Sequence, residues 1–177
     1  RRHLHGHYCC VGACLRRPGG FVMAALEQWP SGEVVVCSGD GVPRAVGQEA
    51  AQRGLKVFDA TCPLVTKEHM EVAKMRREGR EIIMIGHAGH PEVEGTMGQV
   101  GAPVHLVQSE ADVDTLPLPI DKPVAYITQT TLSIDDTKGI IVALKKRFSD
   151  IVGPETSDIC YATQNRQTSV RELAKIA

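Results

Sequence analysis

From residue 33 onward, short apolar runs alternate with segments in which apolar residues recur every three or four positions, the pattern of a parallel sheet covered by helices. EVVVCS (33–38), KVFDA (56–60), EIIMIG (81–86), PVHLVQS (103–109) and PVAYITQ (123–129) predict strands. PRAVGQEAAQRG (43–54), PLVTKEHMEVAKMRREG (63–79) and PEVEGTMG (91–98) predict helices, EADVDTL a short helical turn, and a last helix starts near Tyr161. The clearest helix covers 134–148, with Ile134, Ile141, Leu144 and Phe148 as its expected buried face. Ser133 is placed to cap it with Asp136 completing a capping box, and its charges match the helix dipole: Asp135 early, Lys145, Lys146 and Arg147 late. TLPLPIDKP (115–123) reads as a proline-rich connection within a domain. The class is therefore α/β.

Composition narrows the picture. The chain has 177 residues, 20 Lys+Arg against 21 Asp+Glu and a formal charge of -1, so no basic surplus announces a nucleic acid or an acidic membrane as partner. With 42% hydrophobic and 23% charged residues it reads as a globular protein, and the absence of a long apolar run or export signal points to the cytoplasm. In that compartment the six cysteines are better read as metal-binding or catalytic than as disulfides.

The residues with chemical potential fall after strands, at the edge of an open sheet where ligands bind. FDATCPLVTKEH (58–69) puts Cys62 at a strand-to-helix turn ahead of Pro63, where the positive helix end favours thiolate; the plain alternative is a buried structural cysteine. DICYATQNRQ (158–167) repeats the placement with Cys160, 98 residues on, about one small domain away. Two like-placed thiols suggest repeated lobes around a shared centre. Neither belongs to a CxxC, which disfavours a dithiol redox motif or a zinc ribbon.

GHAGHPEVEGT (86–96) leaves three readings open: a zinc hydrolase site using His87 and His90, an anion and proton-transfer site, or a polar loop with glycines for tight turns. TQTTLS (128–133) offers hydroxyls and free amides suited to phosphate or a substrate hydroxyl, although capping by Ser133 accounts for part of the string. Thr130 is the residue capping leaves unexplained.

In this order, the four motifs resemble hydroxymethylbutenyl diphosphate reductase, the IspH/LytB family, from about Glu33 to Ala177. The resemblance implies a pseudo-threefold parent of three lobes, each with a small parallel sheet flanked by helices and each giving one cysteine to a central 4Fe-4S cluster. This chain would hold about one and a half lobes: 1–61 the end of lobe one, 62–159 lobe two, and 160–177 the first helix of lobe three. By the same resemblance Cys62 and Cys160 are cluster ligands and His90 contacts the substrate diphosphate. Glu92 belongs to the proton relay and Thr130 lies by the substrate hydroxyl, while His7 stands where the family has another diphosphate-binding histidine. The implied reaction is reductive dehydroxylation of an allylic diphosphate to isopentenyl and dimethylallyl diphosphate, the last step of the non-mevalonate isoprenoid route, with ferredoxin or flavodoxin as electron donor.

Departures from the family pattern accompany the likeness. No counterpart of the family's first cluster cysteine is present, its serine-asparagine substrate motif would fall beyond Ala177, and Asp40 stands where a histidine is expected. RRHLHGHYCCVGACLRRPGG (1–20) matches poorly and is read as a divergent or incorrectly translated edge of lobe one, its clustered His and Cys lacking zinc-finger spacing. A fragment of the reductase, inactive by itself, is the expectation. The rival functions are a zinc-dependent hydrolase and a noncatalytic binding module that kept the α/β frame.

Overall fold

The computed structural model describes residues 10–12, 21–22, 32, 34–37, 39–154 and 159–176. These form two compact units, one from residues up to Ala73 together with Ala88–Ala102, the other from Lys74–His87 and the residues from Pro103 onward.

In the first unit, β1 (Cys10–Gly12), β2 (Phe21–Val22), β3 (Val34–Cys37) and β4 (Lys56–Asp59) make a sheet in the order β2-β1-β3-β4. Only the β3–β4 pair is parallel; β1 runs antiparallel to both of its neighbours, so this sheet is mixed. Between β3 and β4 lies α1 (Arg44–Gln52), and Val35, Ala50 and Leu55 bury a small core. The connection from helix to strand turns on Gly54, at a φ of 68°. β4 closes one side of the sheet with all four side chains exposed, Phe58 at 63%. The sequence marks KVFDA as a strand, but it does not reveal this edge position.

Helix α2 (Pro63–Arg77) opens as expected, with proline first and the Thr66 amide donating to the Cys62 carbonyl at 2.8 Å. The turn at 39–42 is held between α2 and α3 (Pro91–Met97). The Cys62 amide donates to the Gly39 carbonyl at 3.0 Å, Gln99 Nε2 donates to the Val42 carbonyl at 2.8 Å, and the Arg44 amide donates to the Gly98 carbonyl at 3.1 Å. Gly41 has a φ of 74°, and a Cβ on it would lie 2.6 Å from Cε1 of His69. Across the turn, a Cβ on Gly95 stands 3.3 Å from the Asp40 carbonyl oxygen, so both helices touch the same backbone.

The second unit contains β5 (Glu81–Ile85), β6 (Val104–Val107), β7 (Val124–Thr128) and β8 (Ile151–Val152), all parallel, in the order β6-β5-β7-β8. The two central strands are buried almost throughout, which is why EIIMI and VAYIT read as continuous apolar runs instead of alternating ones. After β5 the chain goes outward to β6 and then returns to the other side of β5 as β7. Strand order therefore reverses between β5 and β7.

Two helices, α4 (Glu110–Thr115) and α5 (Ile134–Arg147), complete this core. The buried stripe of α5 is Thr137, Ile140 and Leu144, continued by Phe148, while Ile134 is exposed and Ile141 only half-buried. This corrects the expected face by a rotation. Thr137 can take a core position because its hydroxyl donates back to the Ser133 and Ile134 carbonyls. The capping box expected at Ser133 and Asp136 is found instead on α4, where the Asp112 carboxylate accepts the Ser109 and Gln108 amides at 2.8 Å each. Ser133 caps α5 more simply, accepting the Asp135 amide at 3.2 Å.

The guanidinium of Arg147, at the end of α5, donates to the carbonyls of Val113, Leu116 and Leu118. The helix thus grips the end of α4 and the proline-rich connection, confirming that this connection lies inside one unit. Replacing Arg147 with Met keeps the stem and removes the donors, and should cost about 2–4 kcal/mol in urea unfolding, given ~1.5–3 kcal/mol for a charge-assisted bond and the carbonyls left behind. Gly41→Ala combines a left-handed backbone with the His69 contact. It should cost about 2–4 kcal/mol by the same measurement, and a cost below about 0.5 kcal/mol would contradict the geometry.

Candidate active site at the strand ends

In the first unit the site begins where β4 stops. Asp59 Oδ1 accepts the Thr61 amide at 2.9 Å, and the bonds from Thr61 hold the Asp59 carboxyl below its ordinary pKa, with the His69 imidazole adding to the effect. This turn delivers Cys62 to the start of α2 as a half-buried free thiol. His69, two turns along α2, has its Nε2 buried without a hydrogen-bond partner among the described residues. Burial lowers the His69 pKa and the Asp59 charge opposes the shift.

On the other flank of the 39–42 turn, His90 caps α3: its Nδ1 accepts the Glu92 amide at 3.2 Å. An accepting Nδ1 puts the proton of a neutral ring on Nε2, which makes that nitrogen a donor for an anion. Glu92 is 1% exposed and stands in the first turn of α3, where the helix dipole favours its negative charge. The structure thus gathers Cys62, His90 and Glu92 on elements that share one turn.

The second unit holds its candidates at the strand reversal, the place where open α/β sheets bind ligands. The chain leaves β5 through Gly86 and His87, and it leaves β7 through Gln129, Thr130 and Thr131. The Gln129 amide donates to the Ile85 carbonyl at 2.8 Å, and Gln129 Oε1 accepts the His87 amide at 3.0 Å. Thr130 is buried, and its carbonyl accepts the Cys160 amide at 2.8 Å. Cys160 is the N-cap of α6 (Tyr161–Leu173), another half-buried free thiol. The Thr163 backbone N–H, helped by lesser contributions including the Arg166 charge, holds the Cys160 thiol below its ordinary pKa. That outcome follows from the position read in the sequence, a cysteine at a helix start.

Each cysteine therefore suits an iron-sulfur centre in its chemistry, being a free thiol at the head of a helix. Among the described residues, no group of three or more His, Cys, Asp and Glu is brought together that could hold a metal ion. His7 lies outside the described residues. Sequence reasoning missed Gln129 and His69. Gln129 could have been found as the amide that directly follows the mostly apolar run VAYIT, whereas nothing in the spacing of His69 indicates that its ring meets Gly41.

A family model described as LytB protein matches residues 11–177. The 4-hydroxy-3-methylbut-2-enyl diphosphate reductase of Burkholderia pseudomallei (strain 1026b) is 59% identical over 174 residues, covering 98% of this chain and 56% of the relative. The alignment reaches into the segment 1–20 that reads as divergent. A reductase of the same description from Zymomonas mobilis is 55% identical over 98% of this chain and 51% of its own length. Among solved structures, the E-1-hydroxy-2-methyl-but-2-enyl-4-diphosphate reductase from Plasmodium falciparum superposes with a TM-score of 0.80 at 38% identity, covering 86% of this chain and 48% of that one. The chain spans about half the length of the curated relatives it matches. Strand ends carrying these motifs, a family model that matches nearly the whole chain and relatives at this identity lead to one conclusion: the chain belongs to the LytB family.

Proposed function

We propose that this chain is part of a reductase that converts 4-hydroxy-3-methylbut-2-enyl diphosphate to isopentenyl and dimethylallyl diphosphate by reductive dehydroxylation. The observation that carries the reading is the reversal of strand order between β5 and β7, with Thr130 and Cys160 joined by a backbone hydrogen bond at that edge. The relatives' names support the substrate class. In the complete enzyme the chain contributes the end of one lobe (1–61), a second lobe (62–159) and the first helix of a third (160–177).

Cys62 and Cys160 are the thiolates that would hold a 4Fe-4S cluster, with a third supplied from elsewhere in the enzyme. When bound, such a cluster supplies the electrons for removing the allylic hydroxyl, received from ferredoxin or flavodoxin in the cytoplasm. The chain's own residues do the binding and proton work. His90 donates from Nε2 to the diphosphate, which suits a ring whose Nδ1 is occupied by the Glu92 amide. His7 is the second diphosphate histidine of this reading. Thr130 holds the substrate hydroxyl, and Glu92 passes one proton to the departing oxygen, which leaves as water; with the two electrons, a second proton taken up at either end of the allyl fragment gives isopentenyl or dimethylallyl diphosphate. Asp40 sits in the 39–42 turn where a cation would serve the diphosphate better, which predicts weaker substrate binding than in relatives with histidine there.

Restored to the full length of its relatives and purified without oxygen, the protein should contain iron and labile sulfide in about equal amounts. Stoichiometric zinc without iron would overturn the reading in favour of a hydrolase. In that protein Glu92→Gln should leave substrate binding intact and lower turnover by about 10²–10⁴-fold, the range for loss of a proton-transfer group. The 177-residue chain itself offers a pH test. The depressed Cys160 pKa means that thiolate persists to lower pH in the folded chain. The alkylation profile of Cys160, followed by peptide mass spectrometry, should therefore have a lower midpoint when folded than in urea; coincident midpoints would refute the placement.

A further inference from the structure

Resting on the reading above, we propose that Gln129 is a positioning residue of this site, whose side-chain amide locks the chain leaving β5 to the chain leaving β7. Gln129 is 2% exposed, and an amide buried so completely is costly unless its polar atoms are used. Here both ends are used. Oε1 accepts the His87 amide at 3.0 Å, and Nε2 donates to Thr131 Oγ1 at 2.7 Å. The backbone of the same residue donates to the Ile85 carbonyl at 2.8 Å. One residue thus grips Ile85, the last residue of β5, through its main chain and His87, two residues beyond it, through its side chain.

Filling this space does not by itself require an amide, since the strand preceding it is buried throughout and mostly apolar. An amide adds direction. Oε1 fixes where the His87 N–H points, and so the angle at which the GHAGH loop departs. Nε2 occupies a lone pair of Thr131 and leaves that hydroxyl its proton, on an exposed residue, to donate outward. Between these two anchors lies Thr130, whose carbonyl receives the Cys160 amide. Residues 129–131 therefore fix three segments that carry the proposed chemistry: the start of the His87 loop, the proposed hydroxyl site and the Cys160 turn.

Amide hydrogen exchange by NMR on the 177-residue chain tests this, comparing Gln129→Met, which keeps volume and loses both bonds, with Gln129→Glu, which keeps an acceptor for the His87 amide. In the Met variant the His87 amide should exchange on the order of tenfold faster while Met84 and Ile85 stay within about twofold, as expected for loss of one hydrogen bond without global opening. The Glu variant should restore His87 protection. Unchanged His87 protection in the Met variant, or equal acceleration at all three amides, would overturn the proposal. In the restored full-length protein, Gln129→Met should lower kcat for 4-hydroxy-3-methylbut-2-enyl diphosphate about tenfold with KM within about threefold, and Gln129→Glu should recover part of it. An unchanged kcat overturns the positioning role. If the unsubstituted protein fails to reduce this substrate, the reaction assignment falls, and the exchange pattern still decides whether Gln129 is the lock.

Discussion

A parallel strand buried on both faces has to leave the sheet, and at that point the backbone groups that no longer have a neighbouring strand need other partners. In the second unit this requirement shapes everything beyond β5 and β7. The Gly86 amide finds the Val107 carbonyl, the Gln129 amide finds Ile85, the His87 amide finds a side chain, and the Thr130 carbonyl finds Cys160. Each pairing fixes the path of a segment that leaves the sheet at the proposed site. The site is therefore a consequence of satisfying the sheet's own ends, with the strand reversal providing the gap in which those ends can face a ligand.

The first unit solves a steric problem instead. Two helix starts have to approach one turn, and glycine is what permits it. Gly41 lies against the His69 ring and Gly95 lies against the Asp40 and Gly41 backbone. These contacts hold the elements that present Cys62, His90 and Glu92. They also give His69 a place in the fold that, among the described residues, no hydrogen bond to its Nε2 explains.

Much of the architecture was legible because the signals are local. Apolar runs bounded by glycine and proline mark β5 and β7, and a cysteine before Pro63 marks the start of α2. The facing of α5 was not legible, because Thr137 becomes a core residue only when its hydroxyl can bond back along the helix, and Ile141 competes with Ile140 in any apolar count. The exposure of Phe58 depends on which strand has a neighbour, a fact of sheet order that no window of sequence holds. Arg147 reads as a dipole-matching charge and proves to be a clamp on three carbonyls, since its partners lie some thirty residues upstream. At the candidate site, the place of Cys160 at a helix start follows from sequence, whereas the capping of α3 by His90 and the link from Gln129 to His87 needed the structure.

Helix α6 has no buried residue along its length. Short helices of this kind are marginal unless something outside them holds their turns, and among the described residues the fastenings include the Cys160 amide on Thr130 and an exposed Arg171–Asp135 pair. The Thr163 N–H that acidifies Cys160 faces the sulfur only while the first turn is wound. Winding of α6 and ionisation of Cys160 are thus two sides of one equilibrium. Any group that captured the thiolate would draw the helix into order, and anything that orders the helix keeps the thiol acidic, so thiolate capture and the winding of α6 are thermodynamically linked.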